Sequence, residues 1–495
     1  MRSVFVAVAL IGSAAAIAWG VTELPFLEKD ARGSYVGWAT ICWATFVLAL
    51  LLLRRARASH VTALVLGGTV LLCGAGLANG QPNTSTDSAR YAWDGIVQTQ
   101  GVSPYEYVPS DPTLAHLRPD WLFPEPEVRA DGGIRCDDGY RQLARGTDLG
   151  TEDRFCTAIN RADVPTIYPP TSELYFWAVR AVVGPDAQYL PLMVLGGLLV
   201  VGTTAGILRV LRRLGRDPRW AALWGWCPLV VAEGVTNAHV DLVGAVLVVV
   251  ATVLVAHRRR WAGGIALGAA IASKLIPVIA APALLRRQPW KVVLGAVVTF
   301  AVLYVPYVLM TGVGVLGYLP GYLTEEGYED GSRFALASGW LPDALSTPLV
   351  ALVLAVTALL VWRRTDPASP WLGQLVMIGV TLLAVSPRYP WYALLLVPFV
   401  ALTGRAEWLA VPVALYVRQF EPGIALQRSS LACAALVVLL VSLWRWLEAR
   451  HGRGWLLAPW RGRPVPVAEG ATPATVPDGP PEGALPGRHG TGAPA

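Results

Sequence analysis

Apolar runs close to twenty residues long recur along this 495-residue chain, at 3–22, 35–53, 61–79, 187–208, 291–311 and 429–447. A helix needs about 20 apolar residues to cross a hydrocarbon core of about 30 Å. No lipid-exposed segment can leave its backbone groups unpaired, so such runs must be helical. The fold class predicted is an all-α polytopic membrane protein, with about 12–14 transmembrane or half-membrane helices once shorter apolar runs are included. Charged residues make up 15% of the chain, against about 25% in soluble domains.

The formal net charge of +6 invites a nucleic-acid reading, but its distribution argues against one. Between Gly80 and Asp186 there are sixteen acidic residues against nine arginines and no lysine. The positive charge sits in short loops, such as "RRARASH" (54–60), "RRLGRDPR" (212–219), "HRRRW" (257–261), "RRQPWK" (286–291) and "WRR" (362–364). Clusters of this kind mark cytoplasmic loops. Counting spans from a cytoplasmic Met1 puts every cluster on one side, so the N-terminal run is expected to be a retained span rather than a cleaved signal peptide. The expected location is the cell membrane, multi-pass, with both termini cytoplasmic.

Four segments follow. Residues 1–79 hold three N-terminal spans, and 80–186 form a large extracytoplasmic loop ending in an amphipathic, interfacial helix at 166–184. Residues 187–454 form the remaining bundle, and 455–495 a Pro/Gly/Ala-rich, disordered cytoplasmic tail. Within the bundle, spans are expected at 220–234 and 240–256, and a second outer loop at 312–346. Only about 24 apolar residues separate the clusters at 257–261 and 286–291. Two half-length helices near 262–285 would return the chain to the same side, each reaching about 17 Å at 1.5 Å per residue. The apex of that hairpin is "ASKLIP" (272–277).

Of six cysteines, Cys42, Cys73, Cys227 and Cys433 lie in apolar spans and read as small hydrophobes. Cys136 and Cys156 lie in the acidic loop. If that loop is outside the cytoplasm, a disulfide between them is expected, contributing roughly 3 kcal/mol; otherwise they are two free thiols.

Ionisable groups near the membrane are the candidates for chemistry. Asp87, Arg90, Tyr91 and Asp94 would share one face of a helix directly after the third span. The alternative is an N-cap by Asp87 with an Asp–Arg pair, or a turn at Asp94-Gly95. His239 and Asp241 lie at a tight turn, as site residues or as a helix cap beside a solvated histidine. Glu325-Glu326 reads as a solvated acidic loop. Lys274 is one of only three lysines, at an apolar hairpin apex where an ammonium would suit a phosphate. Arg388, Tyr389 and Arg418 could add contacts at the outer surface. No second His or Cys near His239 suggests a metal, so no metal site or cofactor is assigned. Nucleotide-binding loops and hydrolase elbows are absent from the sequence.

The stretch "DSARYAWDGIVQTQGVSPYEYVPSDPTLAHL" (87–117) resembles the first-loop signature of GT-C glycosyltransferases, more narrowly actinobacterial polyprenyl-phosphate-mannose-dependent mannosyltransferases. The likeness continues through "INRADVPTIYPPTSELYF" (159–176), "AHVDL" (238–242), "KLIPVIAAPALL" (274–285) and "SPRYPWYALLLVPF" (386–399). The resemblance implies a GT-C-like bundle that transfers a hexose, mannose favoured, from a polyprenyl-phosphate donor to an extracytoplasmic glycan or lipoglycan, with inversion. It implies Asp87 as general base, Lys274, Arg388 or Arg90 on the lipid phosphate, and Asp94, His239 and Asp241 orienting the sugar or the base. Two departures stand out: the loop between Leu117 and Ile159 is longer than the family pattern, and Arg388 stands where a histidine is familiar. A transporter or flippase for lipid-linked sugars is the alternative, disfavoured by the absence of an internal repeat.

Overall fold

The computed structural model describes residues 2–27, 30–128, 130, 134–136, 141–143, 155–328, 333–421 and 423–451. The expected tail at 455–495 lies outside them. Among the described residues seven helices are long and apolar enough to cross a membrane. α1 (Arg2–Glu23) packs against α2 (Arg32–Leu53) and α3 (Val61–Gly76). The outward residues of α1 are themselves apolar: Phe5, Val8, Ile11 and Trp19 are each more than half exposed. That surface suits lipid, and among the described residues strands are confined to two short pairings, 127–128 with 134–135 and 141–143 with 155–157.

The bundle has two chemically different ends. At one, Ser3 at the start of α1 meets His60. Arginines of the short loops there bind backbone carbonyls, Arg219 on Leu53 and Ala56, and Arg286 on Thr365. At the other, Leu27 after α1 donates to the carbonyl of Asn83 (2.9 Å), just ahead of α4 (Asp87–Thr99).

α4 is buried from Ser88 to Val97 although it is not an apolar sequence. It lies against α5 (Pro170–Val183), with stacking of Tyr91 on Phe176 at 4.5 Å. Gly95 permits that approach, since a Cβ there would sit 2.5 Å from the carbonyl oxygen of Phe176. Cys136 and Cys156 are bonded, with Cα atoms 5.6 Å apart, in the loop between these helices.

The expected span at 220–234 is not one helix. It runs as a 3₁₀ turn Pro218–Ala221, helical turns Ala222–Gly225 and Pro228–Val231, and a π-helical turn Ala232–Thr236. Pro228 is the reason: it has no N–H to continue a helix, and it holds Cys227 in an extended conformation. Between Pro228–Thr236 and Asp241–Ala256 the chain bends by 117°. Beyond it come the helix Arg260–Ile271, a turn at 272–275, and a 3₁₀ helix Ile276–Leu284. The turn is tied to the start of α5: Thr171 N–H donates to Ala272 O (2.8 Å) and Ser172 Oγ to Ser273 O (2.5 Å).

Gly95→Ala should lower stability by about 1–3 kcal/mol, because backbone must move to admit the methyl group. Gly74→Ala, in α3 with open space around the glycine, should be neutral or slightly stabilising. Thermal unfolding of the two purified variants in detergent checks the contrast.

Candidate active site

The turn at 272–275, the start of α4 and the segment 389–392 converge on a cavity of about 690 Å³, with the break at 237–240 packed behind its wall through the stack of His239 on Trp391. Asp87, Arg90, Asn160, Arg161, Tyr168 and Lys274 line its polar side. Leu275, Ile276, Val278 and Ile279 of the 3₁₀ segment line an apolar flank, where Leu275 and Val278 are also exposed on the protein surface.

Asp87 is the first residue of α4, and its carboxylate does not cap the helix; its N–H is met instead by Ser85 Oγ (3.2 Å). The carboxylate oxygens receive Asn160 Nδ2 at 3.3 Å and Tyr168 OH at 3.4 Å, both long bonds. His239 Nε2 lies 3.9 Å from Oδ2. The histidine is fully buried, not solvated, in a stack with Trp391 (4.0 Å), which in turn stacks on Tyr389 (4.3 Å).

Each cation on the wall has a carboxylate partner. Lys274 Nζ donates to Asp241 Oδ2 at 2.7 Å and sits over the ring of Tyr392. Arg161 binds Glu325 through Nε and Nη2. Arg90 donates from Nε to Asp94 Oδ1 (2.7 Å) and from Nη1 to the carbonyls of Arg161 and Val164. Asp241 is therefore engaged by Lys274, and Asp94 by Arg90. Tyr91 and Asp94 point away from the cavity into the core of the loop. Arg388 is exposed and outside the lining, whereas its neighbour Tyr389 lines the wall.

The pair Glu325-Glu326 divides. Glu325 is exposed on Arg161, but Glu326, expected in solvent, is buried against Arg333, because the chain after 325 folds inward over Tyr328. Two buried carboxylates escaped sequence reasoning. Glu173 of α5 accepts from Thr166 Oγ1 (2.7 Å) and Gln98 Nε2 (2.8 Å) and lies against Asp94. Glu233 accepts from Asn237 Nδ2 (3.2 Å) and Tyr416 OH (3.1 Å) and lies 3.1 Å from His239 Nδ1. The signal for Glu233 was present: a carboxylate inside the apolar run 220–236. Among the described residues no three His, Cys, Asp or Glu side chains gather to hold a metal ion.

The family model for glycosyltransferase family 87 matches residues 166–387, taking in α5, the broken helix and the Lys274 turn. The match indicates a membrane glycosyltransferase, and the family it resembles is of the GT-C type. Asp87 and Arg90 lie outside the matched residues, so their place in this glycosyltransferase rests on the cavity's geometry. Neither a curated protein nor a solved structure matches the chain significantly.

Burial, reinforced by Asp94, pushes the Glu173 carboxyl well above the usual carboxylate range. Burial also raises Asp94, against the pull of Arg90. A carboxyl raised on folding stabilises the protein below its unfolded value, and that stability is lost as pH rises through the folded value. The transferase should accordingly lose thermal stability from the ordinary carboxylate range upward. Glu173→Gln should flatten that decline, which a series of melting temperatures against pH measures.

Proposed function

We propose that this glycosyltransferase transfers a hexose, with mannose favoured, from a polyprenyl-phosphate donor to an extracytoplasmic glycan or lipoglycan, with inversion. The observation that carries the reading is the two-sided cavity. A carboxylate and three cations stand on one side, and an apolar flank reaching the protein's lipid-facing surface stands on the other. A sugar joined to a long isoprenoid through a phosphate needs both. The arginine-bearing loops at the opposite end favour a cytoplasmic placement there, with both termini, and an extracytoplasmic cavity.

Asp87 accepts the proton of the acceptor hydroxyl as its oxygen attacks the anomeric carbon. The bond from that carbon to the phosphate oxygen breaks, and the lipid phosphate leaves with the electron pair. A phosphate is already a stabilised anion, so cations suffice in place of a general acid. Lys274 uses one of its three N–H donors on Asp241 and keeps two for the phosphate. Arg90 keeps Nη2, which has no hydrogen-bond partner within the protein.

Purified protein incubated with polyprenyl-phosphate mannose and short mannoside acceptors should transfer the sugar. Asp87→Asn should lower the rate by about 10²–10⁴-fold, and Lys274→Met should lower kcat more than it raises KM. Full transfer by Asp87→Asn would remove Asp87 as base. No transfer with any lipid-linked sugar, together with lipid scrambling in reconstituted vesicles, would favour a flippase.

A further inference from the structure

Glu233 is a carboxylate placed inside a membrane bundle, fully buried, in a π-helical turn at the break of a helix. Such turns recur at functional sites, and an intramembrane carboxylate needs a reason. No cation of the lysine or arginine type pairs with it among the described residues. Its neighbours are three donors: Tyr416 OH on Oε1, and Asn237 Nδ2 and His239 Nδ1 on Oε2. A group surrounded by donors is an acceptor, which is the ionised carboxylate's role.

The same contacts fix the imidazole. His239 Nδ1 lies 3.1 Å from Glu233 Oε2 and 3.2 Å from the backbone carbonyl oxygen of Glu233. Both are acceptors, so Nδ1 must carry the proton. Nε2 is then the nitrogen left with a lone pair in the neutral ring. It is buried, has no hydrogen-bond partner in the protein, and faces Asp87 Oδ2 at 3.9 Å. Trp391 holds the ring in plane by stacking. The geometry of this chain of groups is that of a carboxylate orienting a histidine toward a reacting side chain.

We propose that Glu233 is a positioning residue that sets the tautomer of His239, so that His239 Nε2 receives the proton Asp87 gains during transfer. This rests on Asp87 being the base. The proton moves from the acceptor hydroxyl to Asp87 and then to Nε2, leaving Asp87 ionised during transfer; once the products leave, it returns through Asp87 to water in the cavity, which restores the neutral ring for the next cycle. The imidazolium formed is balanced by Glu233. No other reactant is required, since the departing phosphate takes the electron pair from the anomeric carbon. Gly196 makes the arrangement possible, because a Cβ there would collide with the carbonyl of Gly234 in the turn that bears Glu233.

The groups facing His239 are Asp87 with Tyr168 from the loop side, Glu233 from its own segment, and Tyr416 through Glu233. The Asp241–Lys274 pair lies beyond the break, and Tyr389 lies beyond Trp391. Two measurements on the full-length protein test the assignment. With polyprenyl-phosphate mannose as probe, Glu233→Gln should lower kcat by about 10- to 100-fold, short of the ~10²–10⁴ of an acid–base group. KM and melting temperature should stay unchanged, and Glu233→Asp should recover part of the rate. A loss confined to KM or to melting temperature, or no loss, overturns the proposal.

The second measurement needs no turnover. Ring ¹⁵N spectra of histidine-labelled protein, with His239 identified by its loss in His239→Gln, should show a proton on Nδ1 in the wild type. The signals should shift in Glu233→Gln. A wild-type ring protonated on Nε2 alone, or signals indifferent to Glu233, overturns the proposal whatever the fate of the transferase assay. Failure of Asp87→Asn to impair transfer would instead strike the base assignment, and the spectra would still report on Glu233 and His239.

Discussion

Arg90 is where the loop helix, the returning loop and the cavity wall are joined. The residue is 6% exposed, and its guanidinium holds Asp94 on its own helix and the carbonyls of Arg161 and Val164, more than seventy residues away in sequence. Arg161, thus positioned, reaches out to Glu325 of the second loop. A buried arginine without partners would carry a desolvation penalty of several kcal/mol, and removing one member of a buried pair typically costs about 3–5 kcal/mol. The planar, five-donor shape of arginine suits this three-way tie, and a lysine would not reproduce it.

The polar interior of the site depends on helices that stop early. A continuous span leaves no backbone group free, whereas the break at 237–240 and the turn at 272–275 expose carbonyls and N–H groups that side chains and neighbouring turns then satisfy. Ser172 and Thr171 on α5 take up the carbonyls of 272 and 273, and Thr236 Oγ1 takes up Gly76 O. The carbonyls freed at 272 and 273 are thereby met by protein rather than left to lipid. Lys274 and Asp241 come together only because both breaks occur at the same depth.

Span-forming runs and the acidic loop were legible in the sequence because hydropathy and charge are local properties. Lys274 was legible for a similar reason, being a rare lysine in apolar surroundings. What stayed hidden depends on distant partners. Glu173 gained its role from Asp94, Gln98 and Thr166, across a loop, and nothing in its own segment marks it as buried. Glu326 is adjacent to an exposed glutamate and differs from it only in which way the chain turns. The run at 220–234 reads as one span by its apolar content, and Pro228, six residues before the midpoint of the π-helical turn, is what breaks it. Arg388 looked like a site residue by its motif, yet the motif's contribution to the cavity comes from Tyr389, Trp391 and Tyr392.

For the proposed donor, the pairing of every cation with a carboxylate has a catalytic consequence. A sugar phosphodiester carries one negative charge, and the monoester that departs approaches two. Cations already fixed by Asp241, Glu325 and Asp94 need no reorientation as that charge grows, so their attraction rises along the reaction rather than being spent on the bound substrate. The carboxylates also temper binding of the single charge, which keeps the ground state from being held as tightly as the transition state. On the other side of the scissile bond, Asp87 accepts two long hydrogen bonds, from Asn160 and Tyr168. An acceptor hydroxyl can therefore compete for its oxygens without displacing a strong partner.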